Sequence, residues 1–164
     1  MTISIFCAGG TFEKIYETGL GVKNFSFPLV SVVGSILERI GLTDIELFYE
    51  QSKAKDSLDM TTEDRIFVAR WCAHPSRSCC VVVHGTDTMI ETAKVINQFC
   101  ANKTVVLTGA SKPALYTGSD AEFNLGGALI AAQFCKPGVY IVMNGSIFHF
   151  DGCMKNSSGH FETL

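Results

Sequence analysis

The sequence predicts an α/β domain, a three-layer arrangement in which a mostly parallel sheet carries helices on both faces and ends in a late antiparallel hairpin. Three observations carry this reading. Short apolar runs alternate with stretches of helical period along the chain. The runs are nearly continuous, without the polar alternation of a half-exposed sheet, which marks strands buried on both faces. Asn144-Gly145 is the strongest two-residue hairpin signal in the chain, so the segments flanking it should pair antiparallel.

Taken in order, Ile3 to Cys7 is a first strand ended by the glycine turn Ala8-Gly9-Gly10-Thr11. Phe12 to Phe27 has no period and carries Gly19 and Gly21, so it is expected to be an exposed loop or hairpin of unusual length, of the kind that often covers a site. Pro28 suits the first turn of a helix whose apolar positions Leu29, Val32, Val33, Ile36, Leu37 and Ile40 keep the 3.6 period, with Gly41 closing it. Ile45 to Tyr49 is the second strand, followed by a polar loop to Met60. Thr61 and Asp64 form a capping box that opens a helix running towards His74 and stopped by Pro75. Cys79 to Val83 is a buried strand, and Thr88 with Glu91 reads as a second capping box for a helix from about Met89 to Cys100. Thr104 to Thr108 is a strand with its own glycine turn, Gly109-Ala110-Ser111-Lys112-Pro113. After a loop to Ser119 comes a helix rich in small residues (Gly126, Gly127, Ala128, Ala131, Ala132), which implies close packing against a neighbour. Val139 to Met143 is the last central strand, and Ser146 to Phe150 should return beside it.

Composition narrows the function classes. With 164 residues and 47% hydrophobic content the chain suits a single domain, residues 1–164, with one substantial core. A net charge of −3 and no cluster of Lys or Arg leave no field to attract phosphate backbones, so nucleic acid is not an expected partner. The longest apolar runs are only strand-sized, so no membrane span is expected. Met1 to Cys7 carries neither a basic leader nor a small-residue cleavage site, and the seven cysteines include no Cys-x-x-Cys pair, so reduced thiols in the cytoplasm are expected. His74, His84, His149 and His160 have no metal-ligand spacing, and no metal is expected.

In α/β folds of this kind ligands bind beyond the carboxyl ends of the strands. That rule gathers Thr11, the loop around Ser57, Thr86 with Asp87, and Ala110 at one rim. The segment Val81-Val82-Val83-His84-Gly85-Thr86-Asp87-Thr88-Met89 is the centre of this arrangement. A strand is joined to a helix by a polar turn, and the turn presents backbone N–H groups, a hydroxyl and a carboxylate to the same space. His84 reads as a structural histidine held at the strand end.

Gly9-Gly10-Thr11, His84-Gly85-Thr86-Asp87-Thr88-Met89, Gly109-Ala110 with Pro113, and Phe123-Asn124-Leu125 occur in an order and spacing that resemble the bacterial-type L-asparaginases, specifically their N-terminal domain. The resemblance implies an amidohydrolase that converts L-asparagine to aspartate and ammonia without a cofactor. Thr11 would be the nucleophile, a hydroxyl that needs a neighbour to take its proton, and Tyr16 matches the family tyrosine that assists it. Thr86, Asp87 and Lys155 match a second group, in which the lysine serves as base for a threonine or a water held by it. Asp87 would hold the substrate's ammonium and Ser57 its carboxylate. Gly10, Leu58, Gly85 and Ala110 complete the substrate-binding positions, with N–H groups near Thr86 and the Ala110 carbonyl facing the oxyanion and the leaving amide.

The pattern departs from the family at two places. The chain ends at Leu164, whereas full-length members continue into a C-terminal domain that lends residues to a neighbouring subunit's site. Leu58 stands where many members carry a glutamine. Either change removes polar contacts to the substrate's head group. The alternatives are therefore a weakly active or non-catalytic amino-acid-binding relative, or an amidase for glutamine or another small amide. The family also implies a homodimer or homotetramer.

Overall fold

The computed structural model describes residues 2–17 and 24–164. The positions of Gly19 and Gly21 lie outside the described residues. The chain folds as strands β1 (Ile3–Cys7), β2 (Ile15–Glu17), β3 (Asn24–Ser26) and β4 (Ile45–Phe48), with helix α1 (Val32–Arg39) between the last two. Helix α2 (Thr62–Cys72), β5 (Cys79–Val83), α3 (Met89–Phe99), β6 (Thr104–Thr108) and α4 (Ala121–Phe134) follow. The chain then runs through β7 (Gly138–Met143), β8 (Ser146–His149), β9 (Cys153–Lys155) and β10 (Phe161–Thr163). The central sheet has six strands in the order β4-β1-β5-β6-β7-β8, parallel except for the β7–β8 pair. Two small antiparallel pairs, β2–β3 and β9–β10, stand apart from it.

The period of two divides each strand between two apolar layers. Along β5, Cys79, Val81 and Val83 join the core under α1 and α4, while Cys80 and Val82 join the core under α2 and α3. Every residue of β1, β5 and β6 is buried, which is why their sequences read as unbroken apolar runs. The expected fold class is thus borne out. Asn144 and Gly145 both take positive φ, 54° and 79°, as a two-residue hairpin turn twisted to match its strands requires. Among the described residues no helix is long and apolar enough to cross a membrane. Six of the seven cysteines are buried.

Three local expectations are corrected. Helix α1 begins at Val32 rather than at Pro28, and Leu29 and Val30 are exposed. Its start is set by Ser31, whose hydroxyl accepts the Val33 N–H at 3.1 Å, and by the buried Glu13, whose carboxylate accepts the Val32 N–H at 2.8 Å. The stretch after Thr11 is not all exposed: Phe12, Glu13 and Lys14 are buried. Glu13 bonds the Ser31 hydroxyl at 2.5 Å, and its removal from water raises its pKa against the lowering effect of that bond. At α2 the Thr61–Asp64 capping box forms in both directions. At α3 it does not: Thr88 is the N-cap residue, but its side chain caps nothing. The Thr88 hydroxyl instead donates to the Ser57 carbonyl at 2.7 Å and accepts from the Arg65 guanidinium at 2.8 Å.

His84, at the end of β5, is fully buried and fixed at both ring nitrogens. Nδ1 lies 2.7 Å from the Gly85 carbonyl oxygen, and Nε2 lies 2.8 Å from the Thr92 hydroxyl on α3. The first contact fixes the ring to its own turn and the second ties that turn to α3, as expected of a structural histidine. Burial drives its pKa down to about 4, so the ring is neutral at pH 7.

A pKa lowered on folding means that the unfolded chain takes up the proton first. The stabilisation is therefore complete above about pH 6.5 and is lost as pH falls towards 4, by about 3 kcal/mol for this shift. Glu13, with its raised pKa, gives a slope of opposite sign above its usual carboxyl range, so the His84 contribution is isolated by comparison. Urea midpoints measured from pH 7 to 4.5 are expected to fall more steeply for the unmodified protein than for His84→Gln. Parallel curves would reject the assignment.

Candidate active site

The carboxyl ends of β1, β5 and β6 meet a fourth segment, the loop from Lys55 to Met60, with almost no side-chain atoms between them. The Gly10 N–H donates to the Lys55 carbonyl at 2.9 Å, the Lys55 N–H to the Ala8 carbonyl at 3.0 Å, and the Ala8 N–H to the Val83 carbonyl at 2.8 Å. Gly10 has φ 70°, and a Cβ there would lie 2.3 Å from the Gly85 nitrogen. A Cβ on Gly85 would lie 2.7 Å from both Cβ and Oγ of Ser57, and one on Gly109 would lie 2.4 Å from the His84 carbonyl oxygen. At Gly10 and Gly109 the contacts are to backbone, and at Gly85 one is to a Cβ, so no rotamer change relieves them and these positions are glycine because the loops touch.

Thr11 follows directly on Gly10 and begins a single 3₁₀ turn that runs to Glu13. Ser57 lies beneath Gly85, almost fully buried, and begins a second such turn, capped by Asp56 through the Leu58 N–H at 3.0 Å. Thr86 and Asp87 occupy the turn between β5 and α3. The late β9–β10 pair delivers Lys155 to them: its Nζ lies 2.8 Å from Thr86 Oγ1 and 2.5 Å from Asp87 Oδ1. The β9–β10 turn is held by Asn156, whose side-chain oxygen accepts the N–H groups of Ser158 and His160, each at 3.0 Å. A hydroxyl, a carboxylate and an ammonium group thus form one hydrogen-bonded set across 69 residues of sequence. Such a set can move a proton between the lysine and the threonine oxygen, and the carboxylate can hold a cation beside them.

Tyr16, on β2, stands between two rings, with centroids 6.3 Å from Phe25 on β3 and 6.3 Å from Tyr116 on the loop before α4. Both contacts are edge-to-face. The loop of Tyr116 is itself fastened to the Thr11 turn, because the Ala114 N–H donates to the Phe12 carbonyl at 3.1 Å. Ala110 is buried in the core under α1 and α4. Leu58 is 69% exposed, an apolar residue facing water.

Several residues that build this rim do not stand out in the sequence. Asn124, which enters there only as part of the Phe123-Asn124-Leu125 motif, is buried and holds two loops at once. Its amide nitrogen donates to the Gly109 carbonyl at 3.0 Å and to Asp120 at 2.9 Å, and its oxygen accepts the Asn144 N–H at 2.9 Å. Lys14 is buried and forms a hydrogen-bonded ion pair with Asp56, while its Nζ lies 3.9 Å from the centroid of the Phe25 ring. Burial works to raise the Asp56 pKa, but Lys14 and the Leu58 N–H hold it below its ordinary value. Of these residues only Lys14 carries a sequence signal, a charged side chain inside the patternless stretch that follows the Gly9-Gly10 turn.

Known proteins share this architecture. The family model described as "Asparaginase, N-terminal" matches residues 2–164. A glutaminase-asparaginase from Acinetobacter glutaminasificans is 30% identical over 159 residues, covering 89% of this chain and 47% of that protein. L-asparaginase 1 of Escherichia coli (strain K12) is 30% identical over 121 residues, covering 71% of this chain and 36% of its own. The crystal structure of a probable cytoplasmic L-asparaginase from Campylobacter jejuni superposes with a TM-score of 0.80 at 27% identity, across 99% of this chain and 52% of that one. The chain therefore spans about half the length of that structure and less than half of those two relatives. The glycine-lined rim, the late lysine and the match over nearly all of its residues establish that this chain belongs to the asparaginase family.

Proposed function

We propose that this domain hydrolyses the side-chain amide of L-asparagine, giving aspartate and ammonia, with a threonine hydroxyl as nucleophile. The observation that carries the reading is the bonding of Lys155 Nζ to both Thr86 and Asp87. Thr11, at the carboxyl end of β1, attacks the amide carbon, and Tyr16 assists removal of its proton. The Thr86–Lys155 pair serves as the second acid–base unit, for the leaving ammonia or for the water that hydrolyses the acyl-enzyme. Asp87 faces the substrate's ammonium and Ser57 its carboxylate, with Gly10, Gly85 and Ala110 contributing backbone groups around the amide. No step calls on a metal or a redox group.

The exposed Leu58 favours a second reading, a domain that binds small amino acids or amides with weak or no turnover. The name of the Acinetobacter relative places glutamine beside asparagine as a substrate to test. A homodimer or homotetramer and a cytoplasmic location complete the proposal, and light scattering on the purified protein reads the first.

Ammonia release from L-asparagine is expected to fall by about 10³-fold in Thr11→Ala, and by about 10²–10⁴-fold in Lys155→Met, with unchanged thermal midpoints. Retention of the rate in either variant removes that residue from the mechanism, and no ammonia from asparagine or glutamine with the unmodified protein removes the reading. A thermal-shift titration with aspartate and asparagine then tests the binding alternative. Leu58→Gln restores one polar contact and is expected to lower KM for asparagine by about tenfold, the weight of one charge-assisted hydrogen bond. An unchanged KM places Leu58 away from the substrate.

A further inference from the structure

Lys14 is a buried lysine that the proposed chemistry does not use, and it touches three separately built parts of the rim. By sequence it closes the turn that starts at Thr11, since its N–H donates to the Thr11 carbonyl at 3.2 Å. By ion pair it reaches Asp56, whose other carboxylate oxygen caps the turn carrying Ser57. By cation–π contact it lies 3.9 Å over Phe25, the cross-strand partner of Tyr16. Lys14 retains only 8% of its side-chain exposure and Asp56 only 20%. A lysine taken that far out of water is stable only with its partners in place, so its position is determined by all three parts and in turn determines them.

Resting on the asparaginase reading, we infer that Lys14 is a positioning residue for this site. It sets the distance between the Thr11 hydroxyl and the Ser57 turn and holds the Tyr16 strand over both. The nucleophile, the group facing the substrate's carboxylate and the assisting tyrosine lie on segments with no shared helix or central strand, apart from the β1 turn itself. Lys14 is the side chain that joins them. An Arg at this position keeps a cation that pairs with carboxylate and stacks on an aromatic face, whereas Met keeps the length and apolar stem alone.

The test is steady-state kinetics on L-asparagine with Lys14→Met, Lys14→Arg, Phe25→Leu and the Lys14→Met/Phe25→Leu double variant. Misplacing reacting groups by a fraction of a turn lowers kcat far more than it weakens binding. Lys14→Met is therefore expected to lose about 10²-fold in kcat, with KM changed by less than about fivefold. Lys14→Arg keeps the cation in a larger head group and is expected to lose clearly less kcat than Lys14→Met. Phe25→Leu, at a partly exposed ring, should fold normally and lose about threefold in kcat, and the double variant should be no slower than Lys14→Met.

Three results would overturn the inference while leaving the asparaginase reading intact: kcat unchanged in Lys14→Met, Lys14→Arg as impaired as Lys14→Met, or losses from Lys14 and Phe25 that multiply. Should Lys14→Met fail to fold, the Lys14→Arg and Phe25→Leu rates decide alone. No ammonia from any amide with the unmodified protein, together with no binding of aspartate by calorimetry, would instead reject the reading and this inference with it.

Discussion

The structure depends on one steric constraint, the close approach of loop to loop through glycine at the carboxyl edge of the sheet. Gly10 lies against Gly85, Gly85 against Ser57, and Gly109 against the His84 carbonyl. Parallel strands sit about 4.8 Å apart, and ordinary side chains at these positions would push the turns away from one another. Without them, three turns and the Ser57 loop close into a single surface. The segments that carry Thr11, Ser57, Thr86 and Asp87 are thereby brought side by side. Positive φ at Gly9 and Gly10, 104° and 70°, is the second demand of the same constraint, since the chain must reverse sharply as it leaves β1.

On this frame the ion pairs have different weights. Arg77 with Glu46 and Lys55 with Asp64 join segments on the α2 side of the sheet, and Lys14 with Asp56 is largely withdrawn from water. The pair of Lys155 with Asp87 is different, with Asp87 about half exposed. An exposed pair of that kind contributes about 0–1 kcal/mol to folding, and the late hairpin is placed instead by Cys153 and Phe161, both buried in the core under α2 and α3. His84 is held differently again, buried, neutral and bonded at both nitrogens.

Strand and helix order were legible because each buried strand declares itself as an apolar run and each amphipathic helix by its period. Two sites show where that legibility stops. Thr61 with Asp64 and Thr88 with Glu91 are the same signal in sequence, yet only the first forms a capping box. The Thr88 hydroxyl is used by Ser57 and Arg65, partners brought to it by the fold and invisible in a local window. The start of α1 escapes a local reading for the same reason, because Glu13, far along the chain, satisfies the amide that fixes the first turn. At the rim, the glycine turns and the Thr86–Asp87 segment could be read from short motifs. Lys14, Asp56 and Asn124 could not, since their significance lies in which loops they tie together and no periodicity encodes that.

The sheet order also shapes how the chain reaches this state. β1, the earliest of the described strands, lies inside the sheet between β4 and β5, and pairs residue by residue with segments far along the chain, Ser4 with Cys80 and Cys7 with Val83. Closing such long loops is entropically costly before any reward is gained, and chains rich in distant pairings cross their barrier slowly. Until Cys79–Val83 is available, the apolar segment Ile3–Cys7 has only β4 beside it and stays open along its other edge. The strand nearest the start of the chain thus keeps one edge unpaired until the middle of the chain is present to cover it.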